Sequence, residues 1–267
     1  MDMNVPKKPF HYQRYHIPNV VKAIAVLNLL SKNNKGMTQL EISKKTGYTA
    51  SIIFRLLATL QDYECVEKDP SDNAYTLSNK FVSFAFDSKN ENDLFENSVD
   101  VMREIRDELR ETTMLGVLLD DEFVMIQQQP GKYDFNFTAS IGMRAPVHTS
   151  APAKAVIAFL PEAEKLDLVE KLKFEKISNS TVSNKKDFLK MLSDAKEKGY
   201  ATDAEEYVRG MNCVGAPIFN AYKYPVAAIW VTGPSERLKR ADFDKVGKFM
   251  VLKALEISRR LGYNPDK

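Results

Sequence analysis

The sequence predicts an α+β chain, with a small helical head followed by a larger domain of antiparallel strands and packed helices. Three observations predict it. The stretch Met37–Leu60 holds two short helical patterns separated by Gly47. From Thr112 onward, the apolar spacing changes from steps of three and four to short runs of β type. Those runs are joined by short charged or polar turns, as in hairpins, which favours an antiparallel sheet.

The bulk composition fits this reading. The chain has 267 residues, 44% hydrophobic and 28% charged, as expected of one or two globular domains. No apolar run approaches the roughly 18 residues of a spanning helix, so no membrane partner is expected. The start, MDMNVPKKPFHYQRYHIP, has no apolar signal core. Cys65 and Cys213 both sit in apolar settings, so a reducing cytoplasm fits better than a disulfide framework. His11, His16 and His148 stand at no metal-ligand spacing, and neither a metal nor a cofactor is expected. The net charge is only +2, but residues 1–80 hold eleven Lys or Arg against seven Asp or Glu. A mildly basic first third is compatible with phosphate contact by one end of the chain.

Residues 1–16 are polar, basic and aromatic, and read as a flexible arm or as an arm lying along a DNA groove, with Arg14 a contact. A helix starts at Pro18–Asn19, with Val20, Val21, Ile24, Val26, Leu27 and Leu30 as its apolar stripe. Thr38 can cap the next helix and Thr49 the one after it. That second helix carries Ile52, Ile53, Leu56, Leu57 and Leu60 at helical spacing. Helix, glycine-containing turn and helix form the helix-turn-helix signature. Two extended pieces, Cys65–Lys68 and Ala74–Leu77, flank a turn rich in Asp, Pro, Ser and Asn and make a β-hairpin wing. The head therefore spans residues 17–80.

Residues 81–111 read as a linker helix, with a break near Asp87–Asn92 and a stripe from Leu94 to Leu109. The second domain covers residues 112–267. Strands are expected at Met114–Leu119, Phe123–Gln128, Tyr133–Ile141, Cys213–Phe219 and Val226–Thr232. Helices are expected at Ala151–Leu160, Glu162–Lys171, Lys185–Gly199 and from about Ser235 to Leu261.

A recognition helix presents its N-terminal residues to base edges in the major groove. Here those are Tyr48, Thr49, Ala50 and Ser51, with Phe54 and Arg55 one turn on. Thr49 and Ser51 can hydrogen-bond bases or phosphates, and Ala50 can touch a thymine methyl. Arg55 can meet phosphate or guanine. Lys44, Lys45 and Lys68 would contact backbone, with Thr38 at the helix start beside them. Tyr48 and Phe54 have a second reading, as residues that complete the small core.

The whole combination resembles the isocitrate lyase regulator (IclR-type) family of transcription regulators, from about residue 17 to 263. The resemblance is carried by Arg55–Leu60 with the wing, by Pro146–Ala155, by Lys198–Pro217 with Asp203, Glu205–Glu206, Gly210 and Cys213, and by Thr232–Arg237. It implies a winged helix-turn-helix head and a C-terminal GAF-like domain that senses a small molecule. It also implies dimers or tetramers acting on palindromic operators in double-stranded DNA. Ala153 stands where the family has Gly, and Trp230 where it often has a small hydroxyl residue.

Ser150 and the residues after it place backbone N–H groups at a helix start, which suits a carboxylate or phosphate. Alternation puts Ala228, Trp230 and Thr232 on one face of their strand, and Ala227, Ile229 and Val231 on the other. The resemblance turns the first face toward an effector, so the candidate pocket is Ala151, Pro152, Asp203, Met211, Cys213, Trp230 and Thr232. The expected function is a non-enzymatic, DNA-binding regulator controlled by a small organic acid. Two readings compete with it: a constitutive regulator whose pocket Trp230 and Met211 fill, and a GAF-type redox enzyme or sensor using Cys213.

Overall fold

The computed structural model describes residues 16–33, 35–81 and 89–265. Arg14 and most of the N-terminal arm lie outside them. The chain divides into two compact units, one ending at Asn92 and one beginning at Asp93.

In the first unit the order is α1 (Pro18–Ser31), β1 (Met37–Thr38), α2 (Gln39–Thr46), α3 (Ala50–Asp62), β2 (Val66–Lys68) and β3 (Ala74–Leu77). Sequence signals set these bounds. Thr38 and Glu41 form a reciprocal capping box, Gly47 ends α2 at φ 74°, and Thr49 caps α3 through the Ile52 N–H. Val26, Leu30, Met37, Ile42, Ile53, Leu57, Leu60, Val66 and Tyr75 close one core. The expected stripe of α1 splits. Val26 and Leu30 are buried, whereas Val20 and Ile24 are exposed on another side of the helix. Met37 and Thr38 pair with Tyr75 and Ala74, so a third short strand joins the wing hairpin.

Helix α4 (Lys89–Leu109), which belongs to the second unit from Asp93 onward, leads into β4 (Thr112–Leu119), β5 (Glu122–Gln129) and β6 (Arg144–Pro146). Next come α5 (Ala151–Phe159), α6 (Glu162–Lys171), α7 (Lys185–Lys198), β7 (Ala201–Ala204), β8 (Met211–Phe219), β9 (Pro225–Pro234) and α8 (Phe243–Arg260). Among the described residues the six strands form one antiparallel sheet in the order β6-β5-β4-β9-β8-β7. Alternation along the strands sends side chains to two cores. Leu115, Val214, Ala216, Ile229 and Val231 pack with Val101, Met102 and Ile105 of α4 and with Met250 and Ile257 of α8. Met114, Phe123, Met125, Cys213, Ala228 and Trp230 pack on α5 and α7 from the opposite face. The architecture is α+β, with a winged helix-turn-helix head and a GAF-like antiparallel-sheet domain.

Three elements differ from the sequence reading. Tyr133–Ile141 is not a strand. The Gln128 side chain takes the place of a backbone partner there, accepting from the Ala139 N–H at 3.1 Å and donating to the Ala139 carbonyl. The edge strand is β6 instead, with Glu122 opposite Pro146. The last helix starts at Phe243 rather than Ser235. The Arg237 and Leu238 N–H groups close a turn on the Pro234 carbonyl, and a 3-10 turn at Arg240–Asp242 precedes the helix. The strand β7 lacks the apolar run that would mark it in the sequence.

Candidate nucleic acid interface and candidate effector site

The helix-turn-helix is locked by side chains that bond backbone across the turn. Gln39 Nε2 donates to the Ala50 carbonyl at 3.0 Å, and Ser43 Oγ donates to the Tyr48 carbonyl at 2.6 Å. These two residues set the angle between the helices, and helical periodicity alone does not single them out. At the start of α3, Thr49, Ala50, Ser51, Phe54 and Arg55 are exposed along one side. Phe54 is 60% exposed and is not part of the core, whereas Tyr48 packs against it. Lys44 and Lys45 are exposed on α2, and Lys45 reaches Asn33 Oδ1 at 3.5 Å. Lys68 is exposed on β2, with its Nζ 5.7 Å from the Tyr75 ring centre. Thr38 is committed to its cap, since its N–H and its hydroxyl both donate to Glu41 Oε2 at 2.8 Å. An outward row of small, aromatic and cationic groups at a helix start, flanked by lysines, matches major-groove insertion with backbone clamps.

In the second unit the register lines up Asp203, Cys213, Thr232 and Thr112 across four strands. The next row on that face is Gly215, Trp230, Met114 and Gln128. The sheet and α5 therefore bring the seven sequence-predicted residues together: Ala151, Cys213 and Trp230 in one cluster with Met211 against it, Asp203 and Thr232 on either side of Cys213, and Pro152 over Gly215. Thr232 accepts a hydrogen bond from Cys213 Sγ at 3.2 Å. Pro152 sits over Gly215, where an added Cβ would meet the Pro152 backbone at 3.2 Å. Helix α5 can approach the sheet this closely only because that position carries no side chain. Trp230 is buried, meets Phe123 edge-on at 5.7 Å, and covers Gly116. Phe123 and Met114 were not singled out by the sequence, because they come from strands distant in the chain.

Two further residues dominate the electrostatics. Lys154 is fully buried in α5 and its Nζ meets Glu206 Oε1 at 2.7 Å. Glu206 Oε2 is buried and has no hydrogen-bond partner among the described residues. The Glu206 N–H donates to Asp203 Oδ1 at 2.7 Å, and the Thr181 hydroxyl donates to the Glu206 carbonyl at 2.7 Å. Burial pushes the Asp203 carboxyl up to about 7, with the Lys154 ammonium opposing and the Glu206 charge reinforcing the rise. Glu206 is raised as well, again by burial against the pull of Lys154. A signal for Lys154 was present in the sequence: it is the only charge in APAKAVIAF, a helix otherwise apolar on every side. Such a Lys is retained inside only with a buried partner. Glu205 and Tyr207, on either side of Glu206, line a cavity of about 590 Å³ with Lys176, Ser178, Asn179 and Arg209.

The expected anion cradle at the start of α5 is weaker than the sequence indicates. Pro152 has no N–H, and the Ala153 N–H is directed at Ser150 Oγ at 3.4 Å. The Cys213 thiol is buried, and burial beside Asp203 pushes its ionisation far above the ordinary thiol value, so it stays protonated at neutral pH. His148 is held elsewhere, by the Glu175 carbonyl at 2.9 Å. Behind the polar row, Arg237 forks onto Glu111, with Nη2–Oε2 at 2.9 Å, and covers the Tyr133 ring at 4.2 Å. Gly233 leaves room for Glu111, which an added Cβ would meet at 2.7 Å. Among the described residues no group of three His, Cys, Asp or Glu is placed to hold a metal, and no helix is long and apolar enough to cross a membrane.

Comparison with known proteins agrees with both halves. The family model for the IclR helix-turn-helix domain matches residues 19–70, and that for the bacterial transcriptional regulator IclR C-terminal domain matches residues 87–259. The HTH-type transcriptional regulator XynR of Escherichia coli (strain K12) is 29% identical over 247 residues, covering 92% of this chain and 98% of that protein. The crystal structure of an IclR transcriptional regulator from Alicyclobacillus acidocaldarius shares the fold at TM-score 0.79 and 22% identity, covering 93% of this chain and all of that one. An IclR homologue from Microbacterium hydrocarbonoxydans, solved in complex with 4-hydroxybenzoate, superposes at TM-score 0.74 and 18% identity over 91% of this chain and 97% of that one. The head and the sheet domain together define a DNA-binding transcription regulator. More narrowly, the chain belongs to the IclR family.

Proposed function

We propose that this regulator binds a palindromic operator as a homo-oligomer, and that a small organic acid held on the α5 face of the sheet sets its affinity. The observation that carries the reading is the buried Asp203–Cys213–Thr232 row, set beside an apolar wall of Trp230, Phe123 and Met114. A small polar edge against an apolar wall is what a metabolite site needs. The complex of the Microbacterium homologue with 4-hydroxybenzoate supports a ligand of this size on this fold. Ile17, Val20 and Ile24 leave an exposed apolar side on α1, which supports self-association. DNA contact falls to Thr49, Ala50, Ser51, Phe54 and Arg55 in the groove, with Lys44, Lys45 and Lys68 on phosphates. An effector controls affinity only by binding one conformer better than another.

A second reading, constitutive DNA binding with a filled sensor core, is favoured by one observation: Trp230 is buried on Phe123 and covers Gly116. Thermal-shift screening against organic acids separates the two. A ligand that raises the melting temperature and changes operator affinity in an anisotropy titration supports control. A screen in which every stabilising acid leaves operator affinity unchanged supports the constitutive reading.

A further inference from the structure

The polar edge of the candidate effector site carries a surplus of acceptors. Asp203 faces Glu206 from the turn after β7, Lys154 from α5, and Cys213 from β8, with His148 near Glu206. Lys154 is the ammonium in this set, and it is already paired with Glu206 Oε1. Asp203 and Glu206 are 2% and 4% exposed, and Glu206 Oε2 has no partner among the described residues. The neutral thiol of Cys213 spends its proton on Thr232. At the α5 N-terminus Pro152 has no N–H and that of Ala153 is directed at Ser150 Oγ, so two fewer donors are free for an anion. A third carboxylate brought here faces two others across one ammonium, among side chains that are almost wholly buried. Like charges at such range cannot all stay ionised.

We infer that an anionic effector enters this cluster together with one proton, which comes from solvent and is shared between the ligand carboxylate and Asp203. The inference rests on the effector reading above and narrows it. The ligand carboxylate meets Asp203 through that shared proton. When Asp203 and the ligand are both ionised, the carboxylate does not bind. No bond other than hydrogen bonds forms or breaks.

Two measurements test it. The first needs no ligand: carboxyl carbon NMR of the full-length protein, assigned by comparison with Asp203→Asn. The expected result is one carboxyl, absent in the variant, that is still protonated near neutral pH. An Asp203 carboxyl ionised throughout pH 5–8 overturns the inference. The second is isothermal titration of the wild type with 4-hydroxybenzoate and benzoate, in buffers of different ionisation heat. At pH 8, where Asp203 is mostly ionised in the free protein, uptake of about one proton is expected, with affinity falling about tenfold per pH unit above neutrality. In Asp203→Asn the uptake vanishes and the affinity becomes flat with pH. Binding at pH 8 with no proton uptake overturns the inference and leaves the effector reading intact. No binding by either acid, in a protein that also ignores a wider acid screen, overturns the effector reading and the inference with it.

Discussion

Lys154→Met removes the ammonium that meets Glu206 and leaves two buried carboxylates facing each other. In the wild type that ammonium lies 2.7 Å from Glu206 Oε1 with both side chains almost wholly buried. Breaking a buried pair by removing one partner costs roughly 3–5 kcal/mol, because the remaining charge is left uncompensated. The loss depends on pH, and the sign follows from the direction of the shifts. Asp203 and Glu206 both have folded values above their ordinary ones. Stability from such groups is present at low pH and is lost as pH rises through the folded value. The variant raises those values further, so its deficit is largest near pH 8 and shrinks toward pH 5, where both acids take up protons. Trp230 is the chain's single tryptophan and sits in this core, so its fluorescence in a urea titration follows the sheet domain alone. Lys154→Met/Glu206→Met replaces the pair with apolar side chains and recovers much of the loss. A single variant within about 1 kcal/mol of wild type at pH 8 refutes the reasoning. A double variant no more stable than the single one does so too.

Three other outcomes are expected. Asp203→Asn stabilises the sheet domain at pH 8 by at most about 4 kcal/mol, the equivalent of a rise from 3.8 to about 7, and by much less at pH 4; the same fluorescence titration measures it. Thr38→Ala removes the side-chain arm of the α2 capping box, leaving the backbone N–H on Glu41, and destabilises the head by about 1 kcal/mol, seen by circular dichroism while Trp230 fluorescence stays silent. Arg55→Ala leaves the head folded, because the side chain is exposed. Operator affinity falls in an anisotropy titration, and if Arg55 meets phosphate the logarithmic salt slope drops by about one.

Much of the head was legible in the sequence because its signals are local. Thr38, Gly47 and Thr49 mark helix ends through their own backbones, and Ile53, Leu57 and Leu60 repeat at helical steps. The strands β8 and β9 were legible for the same reason, since alternation assigned Trp230 and Ile229 to opposite faces. What stayed hidden depends on partners far along the chain. Gln128 turns an alternating segment into an irregular edge by pairing with Ala139 through its side chain. Lys154 and Glu206 are 52 residues apart, and only the fold makes them a pair. The anion cradle at α5 has fewer free donors than expected because of a local detail, a proline and a self-capping serine, that the sequence already contained. Val20 and Ile24 looked like core by spacing, yet the face they share differs from that of Val26 and Leu30.

The central claim is that the exposed start of α3 reads specific DNA under the control of the sheet domain. Sequencing the genomic fragments captured by the purified wild type, beside those captured by Arg55→Ala, tests it most directly. The expected result is a small set of sites sharing an inverted repeat, lost in the variant, with occupancy that shifts when a stabilising acid is added. Capture of fragments in proportion to their abundance, unchanged by the variant and by the acid, would contradict it.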